Sequence, residues 1–425
     1  MSSVVLACAV PHVDYISQLT RHLVSVPATV TEFPKRSAIA IVIRLALSED
    51  HVFPTIDTNR EKSPAGLTQT IQTFLDHPSL KNARAQILFI QRSKYLGDPW
   101  SGHIGFPGGK QEATDGSDME TAERETREEL GLDLSNSRFV HLGRLDDTSV
   151  NTLLGGLIMV VSPHVYLQVC RETPAMQVSM EVASVHWIDF GEILSRIDNP
   201  IKPFVSSDYR AIPLDIASRS FDSFRISQPW WYRGFRKIFG SLHYTILPLT
   251  YTAENSIWGE SSKNSINEEK NGRYAGVQFA SSTELYLWGI SLVMLCNMVD
   301  LSLPFDPRQV NSDYVSVASP WPQMERYLWA DFNWIINAVH RVAWDHYKRK
   351  PWLLRMDVDS SGVRVVGQHK DFFRTYLRVA KVAFPISCLV KASLFYLSGK
   401  YVAAGANVLV KLLLRWAYLA ASAIF

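Results

Sequence analysis

The sequence predicts an α/β fold, layered in the α+β manner, and three observations carry that expectation. Two early runs rich in Ile and Val, SAIAIVIRLAL (37–47) and AQILFIQRS (85–93), read as strands. An acid-rich segment behind a Pro-Gly-Gly turn has helix spacing and ends at Gly131. Beyond it RFVHLGRL and LGGLIMVVSPHVYL read as strands again, and MEVASVHWIDFGEIL as a strand running into a short helix. Strands that alternate with helices form layered domains around one sheet.

Composition narrows the class. At 425 residues, 47% hydrophobic and 20% charged, the chain is globular and long enough for two or three domains. A formal net charge of +2 gives no reason to expect nucleic acid as a partner. Cys8, Cys170, Cys296 and Cys388 lie far apart and form no C-x-x-C pair, so a reducing, intracellular setting is expected. The apolar run near the N-terminus lacks a basic stretch before it and meets Pro11 and Asp14 too early for a secretory signal.

In chain order, residues 1–34 read as an N-terminal extension and 35–305 as the main domain. Between the first two strands, LTQTIQTFL reads as a short helix. The loop KYLGDPWSGHIGFPGG follows, so rich in Gly and Pro that its backbone is shaped for a task. Residues 216–280 read as an insertion. It carries the aromatic and basic cluster WWYRGFRKIFG, weak evidence for nucleic-acid contact, and the polar tract GESSKNSINEEKNGRYAG, read as an exposed loop. STELYLWGISLVMLCNMVDL (282–301) has the length and apolar face of a helix, closed by Pro304 and Pro307. The region 306–425 reads as mainly helical.

The acidic segment carries the chemistry. With Ser117 or Asp118 as N-cap, a helix from Met119 to Leu130 places Glu125, Glu128 and Glu129 on one narrow face. Glu120, Glu123 and Arg127 fall on the other side, where Glu123 and Arg127 are expected to pair at i, i+4 in water. Three like charges on one face repel each other. A hard divalent cation with oxygen ligands resolves the conflict, and Mg²⁺ characteristically shares carboxylates with water and phosphate oxygens. The bland alternative, a solvated charged helix, is equally compatible with the spacing alone.

Residues 109–132, GKQEATDGSDMETAERETREELGL, resemble the Nudix box, in which Arg124-Glu125, Glu128-Glu129, Gly131 and Leu132 match in order and spacing. Asp115 stands where the first glutamate is usual, one extra residue precedes Arg124, and Thr126 replaces an apolar residue. The longer spacing, Asp115 and FPGG (106–109) are similar to the coenzyme A diphosphatase branch of that family. Arg92, Ser93 and Leu96 fit that branch's upstream pattern, whereas Gly97 stands where it has a second arginine, which leaves coenzyme A open as the substrate.

The resemblance implies an α/β/α sandwich around a mixed sheet, spanning roughly 35–305. It implies hydrolysis of the diphosphate in a nucleoside diphosphate linked to another group, with Mg²⁺ or Mn²⁺. Coenzyme A, ADP-ribose, NADH and dinucleoside polyphosphates are the candidate substrates, and a nucleotide-binding module without catalysis is the alternative. Glu125, Glu128, Glu129 and the Gly109 carbonyl are the implied metal ligands. Arg124 orients them, with Glu125 and Glu128 as the catalytic acids and Asp115 as loop support. Arg92, His103, Gly108 and Gly109 are the implied substrate contacts, and Glu181 a distal candidate. His103 is equally well read as a structural histidine, and Trp100 better as a packing anchor than as a stacking platform.

From Leu377 the chain is mostly apolar. In its last stretch Lys411 and Arg415 share one helical face, which fits amphipathic helices packed on the main domain or attachment to a membrane, the former preferred. A homodimer is compatible with all of this.

Overall fold

The computed structural model describes residues 11–25, 28, 30–56, 64–93, 102–151, 157–196, 210–215, 241–259, 284–302, 323–324, 356–359 and 362–365. It also describes the isolated positions 389–390, 392–393 and 415.

A mixed sheet of nine strands organises the molecule. At its centre β1 (Arg36–Ala46) runs parallel to β7 (Leu157–Gln168), from Arg36 opposite Val160 to Ile43 opposite Leu167. The other edge of β1 is shared. Its C-terminal half pairs antiparallel with β2 (Arg84–Arg92), and its N-terminal half with β4 (Gly108–Lys110). The short β3 (Ile104–Gly105) pairs with β2. Outward from β7 lie β5 (Phe139–Arg144) and β6 (Thr148–Asn151); outward from β2 lie β8 (Val182–Asp189) and the edge strand β11 (Ser256–Trp258).

The side-chain period of two in β1 builds both layers. Ile39, Ile41, Ile43 and Leu45 face one core; Ala38, Ala40 and Val42 face the other. The first core is covered by helices α1 (His12–Ser25), α2 (Pro64–Leu75), α4 (Phe190–Arg196) and α5 (Gly289–Ser302). The second is covered by α3 (Asp118–Leu130), which brings Ala122 and Leu130 onto the small Ala38 and Ala40. Small residues on β1 let this helix lie close to the strand. The result is an α/β/α sandwich with a mixed sheet, as the sequence predicts.

The core also takes in part of the N-terminal extension. In α1, Val13, Ile16, Leu19 and Leu23 recur at helical spacing and are buried, each contributing roughly 2 kcal/mol. Leu23 packs against Gly143, where any side chain would strike it.

Two expectations change. Residues 282–301 are not one helix: Glu284–Trp288 is a strand (β12) that pairs antiparallel with β10 (Ser241–Thr250), and only Gly289–Ser302 is helical. Gly289, at φ 64°, makes the change of direction, a conformation a side chain resists. Within the stretch read as an insertion, β10 is the centre of a second sheet that includes β9 (Arg210–Asp215) and β13 (Gln323–Met324), and β11 closes the main sheet. Finally, Arg127 pairs with Asp133 at 3.1 Å, and Glu123 turns to the Tyr166 hydroxyl instead.

Of the C-terminal region, the described strands are β13 and a separate hairpin of β14 (Met356–Asp359) and β15 (Gly362–Val365). The stretches of 306–425 expected to be helical, the aromatic and basic cluster at 230–240 and nearly all of the polar tract lie outside the described residues. Among those residues no helix is long and apolar enough to cross a membrane.

Candidate active site

Local sequence fixes both ends of α3. Ser117 is the N-cap: its hydroxyl accepts from the Glu120 N–H at 3.2 Å, while the Glu120 carboxylate accepts from the Gly116 N–H at 2.9 Å. Gly131, at φ 69°, ends the helix by donating its N–H to the Arg127 carbonyl. Thr126, where an apolar residue is usual, is fully buried and donates its hydroxyl to the Ala122 carbonyl at 2.7 Å. That back-bond satisfies the hydroxyl inside the core.

The two glycines of FPGG bring backbone against this helix. A side chain on Gly108, at φ 144°, would collide with the backbone of Ala38 and Ile39 in β1. A side chain on Gly109 would overlap the Glu125 carboxylate. Glycine at both positions is what lets β4 fill the space between strand and acid. The Gly109 carbonyl accepts from the Ser37 hydroxyl. The Gly108 N–H donates to Glu129 Oε2 at 2.9 Å.

Glu129 is buried, and burial pushes its carboxyl up to about 8 against the opposing pull of the Gly108 N–H and Arg92. Glu125 is half-buried and shifts upward for the same first reason, with Arg124 opposing. The charges of Glu128 and Glu181 add to the upward shift of Glu125, and those of Glu125 and Glu181 to that of Glu129. Glu128 is exposed.

Arg124 is the hub of the face. It donates through Nε and Nη2 to both oxygens of Asp115, at 2.9 and 3.0 Å, and through Nη2 to the Lys110 carbonyl at 3.0 Å. It also reaches Glu125 Oε1 and Glu128 Oε2, each at 3.1 Å. This bidentate contact holds Asp115 at about 2. Asp115 in turn accepts from the Glu112 N–H and the Thr121 hydroxyl, and so pins the loop that leads into the helix.

The upstream residues are placed as follows. Arg92, at the end of β2, reaches Glu129 Oε1 at 3.9 Å, and its N–H donates to the His103 carbonyl. The His103 ring meets Trp288 edge-on, with centroids 4.6 Å apart. Trp100 and Gly97 lie outside the described residues. Glu181 is exposed at the start of β8. Sequence reasoning passed over Ser37 and assigned Ser93 no task; only pairing with β4 and with the 180s turn gives them one.

The donors suit a hard divalent ion by type and by face: carboxylates on one side of α3 next to a backbone carbonyl, one buried and one half-buried at a cost that a cation would offset. In this arrangement they do not converge. Among the described residues no three His, Cys, Asp or Glu side chains gather so as to hold a metal ion. Arg124 holds Glu125 and Glu128, and Glu129 is turned to Gly108.

The part of α3 that meets β5 and β7 is built differently. Asp118 accepts from Arg36 Nε and Nη2 at 2.8 and 2.5 Å, and the fully buried Asp147 is shared between Arg36 and Arg144. Burial would raise Asp118, but Arg36 outweighs it and lowers the carboxyl. Next to this network His141 and His164 stand ring to ring, Nε2 to Nδ1 at 3.1 Å.

Residues 77–211 match the family model of the NUDIX domain. An uncharacterized protein of Schizosaccharomyces pombe is 31% identical over 162 residues, 38% of this chain and 43% of that protein. The chain thus spans less than half of that relative's length. Among solved structures, the NUDIX domain of Shewanella oneidensis NrtR complexed with ADP ribose is 16% identical, over 40% of this chain and 79% of that one, with a TM-score of 0.22. A C. elegans Ap4A hydrolase binary complex is 16% identical, over 38% and 84%, with a TM-score of 0.23. A MutT/nudix family protein from Enterococcus faecalis is 18% identical, over 39% and 47%, with a TM-score of 0.22.

Proposed function

We propose that the chain is a Nudix-type hydrolase that cleaves the diphosphate linkage of a nucleoside diphosphate joined to another group. The observation that carries this reading is the seating of Gly108 and Gly109 against Glu129 and Glu125, organised from the other side by Arg124. In this reading Glu125, Glu128, Glu129 and the Gly109 carbonyl hold Mg²⁺ or Mn²⁺. That carbonyl takes one hydrogen bond from Ser37 and has a second lone pair to offer.

A bound divalent ion neutralises phosphate charge and lowers the pKa of water. The chain supplies the rest. Arg124 keeps Glu125 and Glu128 at fixed rotamers, Asp115 keeps Arg124 in place, and Arg92 offers a cation toward the substrate phosphates. Water adds to one phosphorus of the diphosphate and gives up a proton, the bridging P–O bond breaks, and the leaving phosphate takes the electron pair while that proton passes to it or to solvent. Substrates of the coenzyme A type head the panel because of the FPGG and Arg92-Ser93 pattern. ADP-ribose, NADH and dinucleoside polyphosphates complete it.

Purified protein with Mg²⁺ or Mn²⁺ should turn over at least one member of that panel, and Glu128→Gln should lower the rate at least about a hundredfold. No turnover on any of them removes the hydrolase reading, and undiminished turnover by Glu128→Gln removes the ligand assignment. A second reading, a nucleotide-binding module without catalysis, draws on the carboxylates' failure to converge. Tight nucleotide binding without hydrolysis would select it.

A further inference from the structure

Two consecutive residues of β2 and the strand's exit act on the same glutamate from different directions. The Arg92 side chain points to the Glu129 carboxylate. Ser93, 3% exposed, donates its hydroxyl to the Met180 carbonyl at 2.7 Å and its N–H to the Glu181 carbonyl at 2.8 Å. The turn so anchored is itself tied to the end of α3. The Ser179 N–H donates to the Glu129 carbonyl at 2.9 Å, and the Gln177 N–H to the Leu130 carbonyl at 2.8 Å. These carbonyls are among the last of the helix, which have no partner within it.

We infer that Ser93 is a positioning residue: through its bonds to Met180 and Glu181 it fixes the 177–181 turn, and through that turn it sets where the Glu129 carboxylate stands. The inference rests on the hydrolase reading above, in which Glu129 is a metal ligand. The chain of contacts is short and continuous: Ser93 hydroxyl, Met180 carbonyl, Ser179 N–H, Glu129 carbonyl. Glu129 is then held at its backbone by the turn and at its carboxylate by Gly108. Loss of the Ser93 hydroxyl takes from the Met180 carbonyl a 2.7 Å donor and loosens the turn, which then keeps only its backbone bonds. A group bonded directly to a metal ligand characteristically tunes affinity by ten- to a hundredfold, and Ser93, which acts through the turn, belongs at the lower end of that range.

The test is Mn²⁺ binding by the whole chain without substrate, read by electron paramagnetic resonance of the free ion, alongside turnover. Ser93→Ala should weaken Mn²⁺ binding about tenfold. It should raise the Mn²⁺ needed for half-maximal turnover by the same factor and leave the substrate KM at saturating Mn²⁺ unchanged. Ser93→Thr, which keeps the hydroxyl, should recover wild-type binding to within about twofold. Ser93→Cys, nearly isosteric and a weaker donor, keeps the question decidable if the alanine variant does not fold, and should fall between. Wild-type Mn²⁺ affinity in a folded Ala or Cys variant overturns the inference alone. Wild-type protein that binds Mn²⁺ but hydrolyses nothing removes the hydrolase reading and leaves the binding comparison intact. A wild type that binds no Mn²⁺ overturns both.

Discussion

The two flanks of α3 carry the same residue types to opposite ends. Toward β5 and β7, Asp118 meets Arg36, Asp147 meets Arg36 and Arg144, and Glu123 accepts from the Tyr166 hydroxyl at 3.2 Å. Every acid there has a donor from the sheet. Toward β4, Glu129 is buried, with the Gly108 N–H at 2.9 Å and Arg92 at 3.9 Å as its partners among the described residues. Glu125 shares Arg124 with Asp115 and Glu128. Burial raises Glu125 and Glu129, whereas Arg36 brings Asp118 down. An acid that the protein itself neutralises is fastening the fold. An acid buried at a cost leaves room for something that arrives from outside.

The largest expected effect separates the flanks by readout. Glu129→Gln should lower turnover at least about a hundredfold and leave urea unfolding no worse than wild type, since a neutral amide tolerates the buried position. Asp118→Asn should do the reverse. It leaves Arg36 short of charge and costs about 2–3 kcal/mol in urea, with turnover per folded molecule unchanged. Equal stability losses in both variants would erase the distinction between flanks.

Acid should find the β5–β7 flank next. Burial holds His141 at about 4 and His164 at about 3, each below its value in the unfolded chain. The unfolded chain therefore binds more protons below about pH 6.5, and stability falls as pH drops from there toward 4. The slope is about 1.4 kcal/mol per pH unit for each histidine. His141→Phe should flatten it in urea titrations at pH 7, 6 and 5. An unchanged slope would place the acid sensitivity elsewhere.

Thr126→Val should matter least. It removes the back-bond to Ala122 and restores the apolar residue usual there, so stability should stay within about 1 kcal/mol of wild type by urea unfolding. A larger loss would mean that the hydroxyl has work beyond satisfying itself.

What the sequence made legible was local. The cap at Ser117, the stop at Gly131 and the alternation of β1 each depend on neighbours a few residues away, and the structure keeps them. What it hid was carried by distant partners. Spacing offers Glu123 only Arg127, but the Tyr166 hydroxyl comes from a strand 43 residues on. Nothing near Ser93 announces that its hydroxyl bonds a carbonyl 87 residues away. Leu285–Trp288 joins an apolar run long enough for a helix, and only its pairing with β10 and the turn at Gly289 make it a strand. The apolar period of α1 is regular, but in a segment ahead of the main domain it does not say which surface the helix covers.

The position of β1 has a consequence for how the chain reaches this state. Its parallel pairing joins Arg36 to Val160, and α3 and β4 both settle on it from within the long excursion between those residues. Closing so large a loop costs entropy before any contact repays it, which makes such pairings slow to form. The glutamates and their backbone wall at Gly108 and Gly109 lie close in sequence, but the strand on which both rest is completed from far away. Completion of the sheet beneath the acidic face is thus a slow event of folding, and a chain halted before it would have a well-capped helix on an unfinished sheet.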